Sequence, residues 1–438
     1  MEADDGRSSD DSDWSYDGPD LEEFYVPTGD ENPPAPSLST SDASEQTFDP
    51  ALPMQHAYLG TDLTVLHGRT LLDDDDGSSY WLPLLPQINV VLVPGQTLPL
   101  SVSSIDYQPT VQMIQRALDG NKIFATVCML KNENMTEFYH ADVGTTAEIY
   151  EVQRGGDNVS MRIKAIGRQR FKLLETKADP DGLFPVARVR ILPEITLPYP
   201  MSGNAFQCLN KYRTKVNDDV KETKKRQRLL SSDSVTSAWP SWVYEQYDPQ
   251  VLVKRMKRPY LIIAVWCLFC FIAACQIPSD PVELSFWVAR SLPVNDATRL
   301  IPLRMNCAIQ RLRWELTTLD KPSILCCNHC SQTIASQQDV FSMSAEGLQG
   351  TYVNSHGFVH DTITIRKATG VLLQNRPPST EFSWFPGYGW TIAACSRCHR
   401  HVGWKFTATN PTTIPDKFWG LCRRSLNSRQ VKELFPKE

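Results

Sequence analysis

The sequence predicts an α+β multidomain chain: a mostly β domain, a helical linker domain and a C-terminal zinc-stapled all-β domain. Three observations predict it. Two Cys-x-x-Cys knuckles, Cys327-Asn-His-Cys330 and Cys395-Ser-Arg-Cys398, stand in the C-terminal third with 64 residues between them. Short strand-like runs punctuated by Pro and Gly fill 82–192, and apolar positions at helical spacing fill 281–319. A chain of 438 residues has room for two or three such units.

Residues 1–50 carry 15 Asp or Glu and one basic residue, Arg7, so this segment is −14 while the whole chain is −6. So acidic and apolar-poor a stretch predicts a disordered tail, a solubilising segment or an acidic docking or phosphorylation segment. The remainder, near +8, is too weakly basic to imply nucleic-acid binding. The start, Met1-Glu-Ala-Asp-Asp, lacks the basic and apolar stretches of a signal peptide. The expectation is a reducing compartment, in which the 12 Cys are metal ligands and buried thiols and Asn134-Met-Thr goes unglycosylated.

The first folded domain is expected over 51–200. Residues 51–80 read as a lead-in, and Asp73 to Gly77 as a solvated turn without the alternating ligands of a calcium loop. Leu82-Pro-Leu-Leu-Pro and Ile88-Asn-Val-Val-Leu-Val read as short strands, followed by a Pro94-Gly95 turn and Leu98-Pro-Leu. Val111, Ile114 and Leu118 predict an amphipathic helix over 111–118. Strands follow at 123–130, 144–150, 159–167, 168–174 and 186–192. Several strands with one helix predict a curled sheet or small barrel. Leu82-Pro-Leu, Val93-Pro-Gly-Gln-Thr-Leu-Pro-Leu and Ala165-Ile-Gly-Arg-Gln-Arg-Phe resemble the N-terminal substrate-binding domain of Lon proteases. No phosphate-binding Gly-rich loop with Lys-Ser/Thr follows, and no context for a Ser-Lys protease pair, so the resemblance implies protein binding without ATP-driven proteolysis.

A helical region is expected over 201–319. Val216 to Arg228 is charge-dense and reads as an exposed insertion. Trp239-Pro-Ser-Trp-Val-Tyr opens an aromatic cluster, and Val243, Tyr244, Tyr247, Leu252 and Met256 line either a partner-docking face or a domain junction. Residues 260–277 (YLIIAVWCLFCFIAACQI) carry no formal charge and reach the threshold length of a membrane span, yet in these surroundings a buried helix or a splicing artefact is the preferred reading, and a membrane is not an expected partner. Helices are predicted from Pro281 to Leu292, from Ala297 behind an Asn295-Asp296 cap, and from Cys307 to Leu319.

The zinc domain is expected over 320–425, with a tail at 426–438. Four thiolates from Cys327, Cys330, Cys395 and Cys398 make a closed tetrahedral set for one structural Zn2+ with no open position for chemistry. Beside the second knuckle run Glu381-Phe-Ser-Trp384-Phe-Pro-Gly-Tyr388-Gly-Trp390 and Gly403-Trp404-Lys-Phe406. Three indoles can box a small ring or a cation, or pack as ordinary core. Asn354, His356 and Tyr388 are candidate rim residues.

Tyr352-Val-Asn-Ser-His-Gly-Phe-Val-His, Pro378-Ser-Thr-Glu, Trp384-Phe-Pro-Gly-Tyr and Gly403-Trp-Lys-Phe-Thr-Ala-Thr, with the Cys395/Cys398 knuckle, resemble the cereblon family, and the resemblance covers 52–425. It implies a substrate-recognition subunit of a cullin-RING ubiquitin ligase. Trp384, Trp390 and Trp404 would cage a glutarimide or a cyclic imide at a protein C-terminus, backbone groups at 382 and 384 would hydrogen-bond it, Phe406 would back the pocket, and Asn354 and His356 would lie beside the ligand. Residues 200–258 and the adjoining helices would dock a β-propeller adaptor, with cullin and RING subunits reached through it. Protein ubiquitination and degradation in cytoplasm and nucleus would follow. Phe382 departs from the family's common His, and 259–277 from its polar helix. Two other readings compete: a methyl-lysine or quaternary-ammonium reader, and a thiol-dependent reductase using Cys422. No nucleophile–base pair stands in a convincing catalytic frame, so no enzyme activity is expected.

Overall fold

The computed structural model describes residues 46–75, 77–88, 90–102, 108–131, 137–155, 160–197, 240–265, 277–320 and 323–430. The acidic tail up to 45, Asn134, the charged insertion 216–228, Trp239, most of the apolar 260–277 segment and the end of the C-terminal tail lie outside them. Residues 44–438 form one unit.

The N-terminal domain is a barrel. Strands β1 to β8 are Gln46–Thr47, Thr64–Val65, Tyr80–Ile88, Thr97–Val102, Ile123–Lys131, Phe138–Arg154, Met161–Ala178 and Pro185–Ile191. Seven of them form one sheet in the order β2-β6-β5-β3-β8-β7-β4, and an added β6–β7 pairing closes it. Helix α1 (Gln108–Asp119) buries Val111, Met113, Ile114 and Ala117 against it. The strands read separately at 159–167 and 168–174 are one strand of 18 residues. Gly167 lies inside it, where a Cβ would meet the Val93 carbonyl oxygen at 2.5 Å, so this glycine marks a close backbone approach and not a turn. Likewise 80–88 is a single strand, while 90–93 is buried but irregular.

The helical layer holds α2 (Ser241–Glu245), α3 (Pro249–Val265), α4 (Pro281–Ser291), α5 (Asp296–Arg304) and α6 (Ala308–Leu319). Asp280 caps α4, accepting from the amides of Val282 and Glu283 with Pro281 in the first turn, and Asn295 caps α5 through the Thr298 amide. Of the five residues read as one interface, Leu252 and Met256 are buried while Tyr247 faces outward under the Arg313 guanidinium. Among the described residues of this layer Trp242 is the most exposed large apolar one, at 61%. Among the described residues no helix is long and apolar enough to cross a membrane.

Strands β9 to β18 are Ser323–Cys327, Thr333–Ser336, Gln349–Val353, Val359–Ile365, Val371–Leu373, Tyr388–Cys395, His401–Ala408, Thr413–Ile414, Lys417–Cys422 and Leu426–Gln430. Six form a sheet in the order β11-β12-β17-β15-β14-β13, and three form a smaller one, β10-β9-β18. This domain shares a core with the helices: Leu252, Met256, Leu284, Trp287 and Leu312 pack in one cluster with Ile334, Ile363, Ala393, Cys395 and Leu421.

The segment 46–60, read as the end of a disordered tail up to 50 and as lead-in beyond it, is an ordered strap joining both β domains. Strand β1 pairs in parallel with β16, Phe48 stands edge-on to Tyr388 at 5.3 Å, and the Tyr58 hydroxyl accepts from the Val353 amide. On the barrel side, Lys164 donates to the Gln55 carbonyl at 2.7 Å and Arg162 to that of Leu59 at 2.9 Å. Buried polar contacts also span the domains directly, Gln96 to Thr351 at 2.7 Å and Thr97 to Glu346 at 2.6 Å.

Candidate functional site

Two features lie side by side in the C-terminal domain. The first is the cysteine group. Each knuckle is a tight turn leaving a strand, β9 for Cys327/Cys330 and β14 for Cys395/Cys398. The Cys327 and Cys398 sulfurs are 3.6 Å apart, those of Cys330 and Cys395 are 3.5 Å apart, and all four lie within 4.8 Å of one another. Disulfide sulfurs would sit at about 2.0 Å. A tetrahedron with metal–sulfur bonds of about 2.3 Å has sulfur–sulfur edges of about 3.8 Å, so the donor set fits zinc. Cys326, the neighbour of Cys327, lies outside this group.

The second is an aromatic cavity of about 240 Å³. Its back wall is one face of the β14/β15 pair. Trp390 stands opposite Phe406 and Ile392 opposite Trp404, so alternation puts these four side chains on one side of the sheet. The string before β14 supplies Phe382 and Trp384, and the β11–β12 connection supplies Asn354, Ser355 and His356. His401 completes the lining. Trp384 meets Trp404 edge-to-face at 4.7 Å and stacks on Tyr352 at 5.0 Å. Its indole N–H donates to the Val353 carbonyl at 3.0 Å, and that of Trp390 to the Glu381 carbonyl at 2.7 Å. Both rings are therefore oriented by their own backbone and present apolar faces.

The 354–358 loop is folded around Asn354. Its side-chain oxygen accepts from the amides of His356 and Phe358, at 3.1 and 2.9 Å. Gly357, at φ 86°, lies where a Cβ would meet the Ser101 carbonyl oxygen at 2.4 Å, so the loop rests on β4 of the barrel.

The cavity is electrically quiet. Among the described residues no carboxylate lines it. Burial, with help from Arg424, pushes the His401 imidazole down to about 4 and that of His360, edge-on to Trp404, down to about 3; both are neutral at pH 7. Ser383 donates its amide to the Thr380 carbonyl, whereas the Phe382 carbonyl and the Trp384 amide are engaged in no backbone hydrogen bond among the described residues.

Of the residues singled out by sequence, Trp384, Trp390, Trp404, Phe406, Phe382, Asn354 and His356 come together around the cavity. Tyr388 does not. It is 1% exposed, its hydroxyl donates to the Pro415 carbonyl, and Phe418 and Phe48 cover its ring. The strap thus occupies one end of the aromatic sheet face, and the cavity the other. Ser355, Ile392 and His401 were missed as lining residues. Ile392 was visible as the i+2 neighbour of Trp390 on a strand; His401 takes its place through a register shift in β14/β15, which leaves no signal in composition. Cys422 is buried beside His360, and burial raises its thiol to about 12, which counts against the reactive thiolate of a reductase.

A family model described as the ATP-dependent protease La (LON) substrate-binding domain matches residues 81–321. Another, described as Yippee zinc-binding/DNA-binding /Mis18, centromere assembly, matches residues 323–436. With the sulfur geometry, this makes the four cysteines the holders of one structural zinc. The chain is 42% identical to Protein cereblon of Gallus gallus over 396 residues, 87% of this chain and 85% of that one. It is 42% identical to Protein cereblon of Xenopus tropicalis over 398 residues, covering 87% and 85%. To that of Danio rerio it is 41% identical over 395 residues, covering 86% and 87%.

Proposed function

Since the chain belongs to the cereblon family, we propose that it is a non-catalytic substrate receptor of a cullin-RING ubiquitin ligase, recognising cyclic imides in its aromatic cavity. The observation that carries the imide reading is the neutral three-indole cavity, in which the N–H groups of Trp384 and Trp390 are already engaged. Such walls favour the faces of a compact uncharged ring, while the Phe382 carbonyl and Trp384 amide offer one acceptor and one donor for the edge of an imide. A trimethylammonium group would gain cation–π attraction from the same rings, but no carboxylate among the described residues lines the cavity to offset its charge. Zinc, when bound, supplies folding free energy and no chemistry at the cavity.

The outward-facing Trp242 and Tyr247 supply aromatic anchors for the β-propeller adaptor, through which cullin and RING subunits would be reached. Bound proteins ending in a cyclic imide would be ubiquitinated by those subunits, in cytoplasm and nucleus, for proteasomal degradation.

The test is a calorimetric titration of the full chain, its zinc content confirmed, with glutarimide, beside a Trp390→Ala variant and a trimethyl-lysine peptide. Saturable 1:1 binding of the imide, lost in the variant and unaffected by the peptide, supports the reading. Binding of the peptide and not the imide would replace it with the methyl-lysine reader.

A further inference from the structure

We propose that the mouth of the cavity reads the residue preceding the cyclic imide, and selects an aromatic side chain there by stacking it on Phe382. The inference rests on the imide reading and adds the neighbouring part of the substrate.

The cavity is larger than the ring needs. An apolar cavity of about 150 Å³ takes benzene, and this one measures about 240 Å³, so a six-membered imide leaves space over. That space does not lie at the floor. Trp384 and Phe406 are 5% and 1% exposed and are backed by Tyr352, Phe385 and Phe418. It opens toward solvent, where Phe382, Ser355 and His356 are exposed.

Phe382 is 39% exposed, an apolar ring left at the lip of an otherwise sheltered cavity. Its backbone sits at φ 51°, a region that bulky residues rarely occupy and that gathers at ligand-binding positions. The turn is pinned on both sides, by Trp390 donating to the Glu381 carbonyl and by the Ser383 amide donating to that of Thr380. The backbone that carries the ring is thereby set in place before anything binds, which lowers the entropic cost of contact.

Substrate chemistry puts a side chain in the same place. In a peptide whose last residue has closed into an imide, the chain joins the ring through one amide nitrogen. The preceding side chain therefore emerges a few bonds from the ring, at the mouth. An aromatic side chain there can meet Phe382 in an offset or edge-to-face pair, which glycine cannot.

Two labelled peptides, identical except for Phe or Gly before a C-terminal glutarimide, are titrated into the full zinc-loaded chain by fluorescence polarisation. The Phe peptide is expected to bind about three- to tenfold more tightly. In Phe382→Ser the ratio falls to about one, whichever way the separate affinities move, and in Phe382→Tyr it persists. Equal binding by the unaltered chain, or a ratio surviving in Phe382→Ser, overturns the inference. If glutarimide itself binds while the ratio is one, only this inference falls; if neither peptide nor glutarimide binds, the imide reading falls with it.

Discussion

At the scale of single residues, the cavity depends on positions that admit little change. Gly403 is one. Its φ is 148°, and a Cβ there would stand 2.3 Å from the Gly420 carbonyl oxygen and press β15 off β17 next to Trp404. Gly403→Ala is expected to destabilise the domain by about 2–4 kcal/mol, from backbone strain plus overpacking, read as a shift in the urea midpoint. Glu315 is a second sensitive position. It is fully buried in α6 with neither carboxylate oxygen hydrogen-bonded. The adjacent Arg311 spends its donors on Glu194, Ser285 and the Met305 carbonyl. Burial pushes the Glu315 carboxyl well above the usual range, Arg311 only partly opposing it. A carboxyl raised in the folded state costs nothing where both states are protonated. It costs progressively more as pH climbs past the ordinary carboxylate pKa, because only the unfolded chain then releases the proton. Glu315→Gln should therefore raise the melting temperature by a few degrees at pH 8 and leave it nearly unchanged near pH 4. A gain of equal size at both pH values would refute this account. None of this was legible in the sequence, where Glu315 is one polar residue on an amphipathic helix. The four cysteines and three indoles were legible, because short knuckles and a Trp-rich string announce themselves without tertiary information. Tyr388 misled because its string is shared by cavity and core; the residue that separates them, Phe48, arrives from the other end of the chain.

At the scale of elements, one side chain of β7 gathers the buried polar contacts between barrel and helices, beside an apolar cluster that includes Val93, Val143, Phe286 and Leu300. Arg170, nearly buried, donates to the carbonyls of Leu303 and Met305 and to the Asn306 side chain at the end of α5, and to the Pro193 carbonyl and Glu194 after β8. Arg311 reaches the same carboxylate from α6 at 2.5 Å, with Phe286 beneath its guanidinium. Replacing Arg170 by Met keeps the volume but orphans the Leu303 and Pro193 carbonyls, while that of Met305 keeps Arg311, and leaves Glu194 with one partner fewer. We expect a loss of about 3–5 kcal/mol and protease cleavage appearing first between barrel and helices. The helices themselves were readable from spacing and from the Asp280 and Asn295 caps. Their attachment was not, since an arginine inside an alternating strand reads as a solvent-facing residue.

At the scale of the whole molecule, the zinc domain and the helices are not separable parts. The helical layer completes the core of the zinc domain, with Cys395 among its members. Removing the metal should therefore do more than unfold the sheet around the cavity. Chelation, or Cys395→Ser, is expected to abolish imide binding and to speed hydrogen exchange in α3, α4 and α6 while the barrel strands stay protected; zinc of this kind contributes about 10–16 kcal/mol of folding free energy. Unchanged exchange in those helices would show that the two parts hold together without the metal. The sequence announced three units because composition changes near 200 and 320, but it is blind to a core assembled across such a boundary.

The strap carries a consequence for how the chain is made. Its first strand docks beside Thr413–Ile414, about 365 residues further on. At synthesis rates of roughly 5–20 residues per second, the strap waits roughly 20–70 s before its partner leaves the ribosome. During that interval Phe48 and Tyr58 have nowhere to bury, and the barrel behind them can already close. A segment translated early is thus among the last to find its place. A nascent chain halted before 413 would keep this segment open to proteases and chaperones, whereas the released protein would hide it.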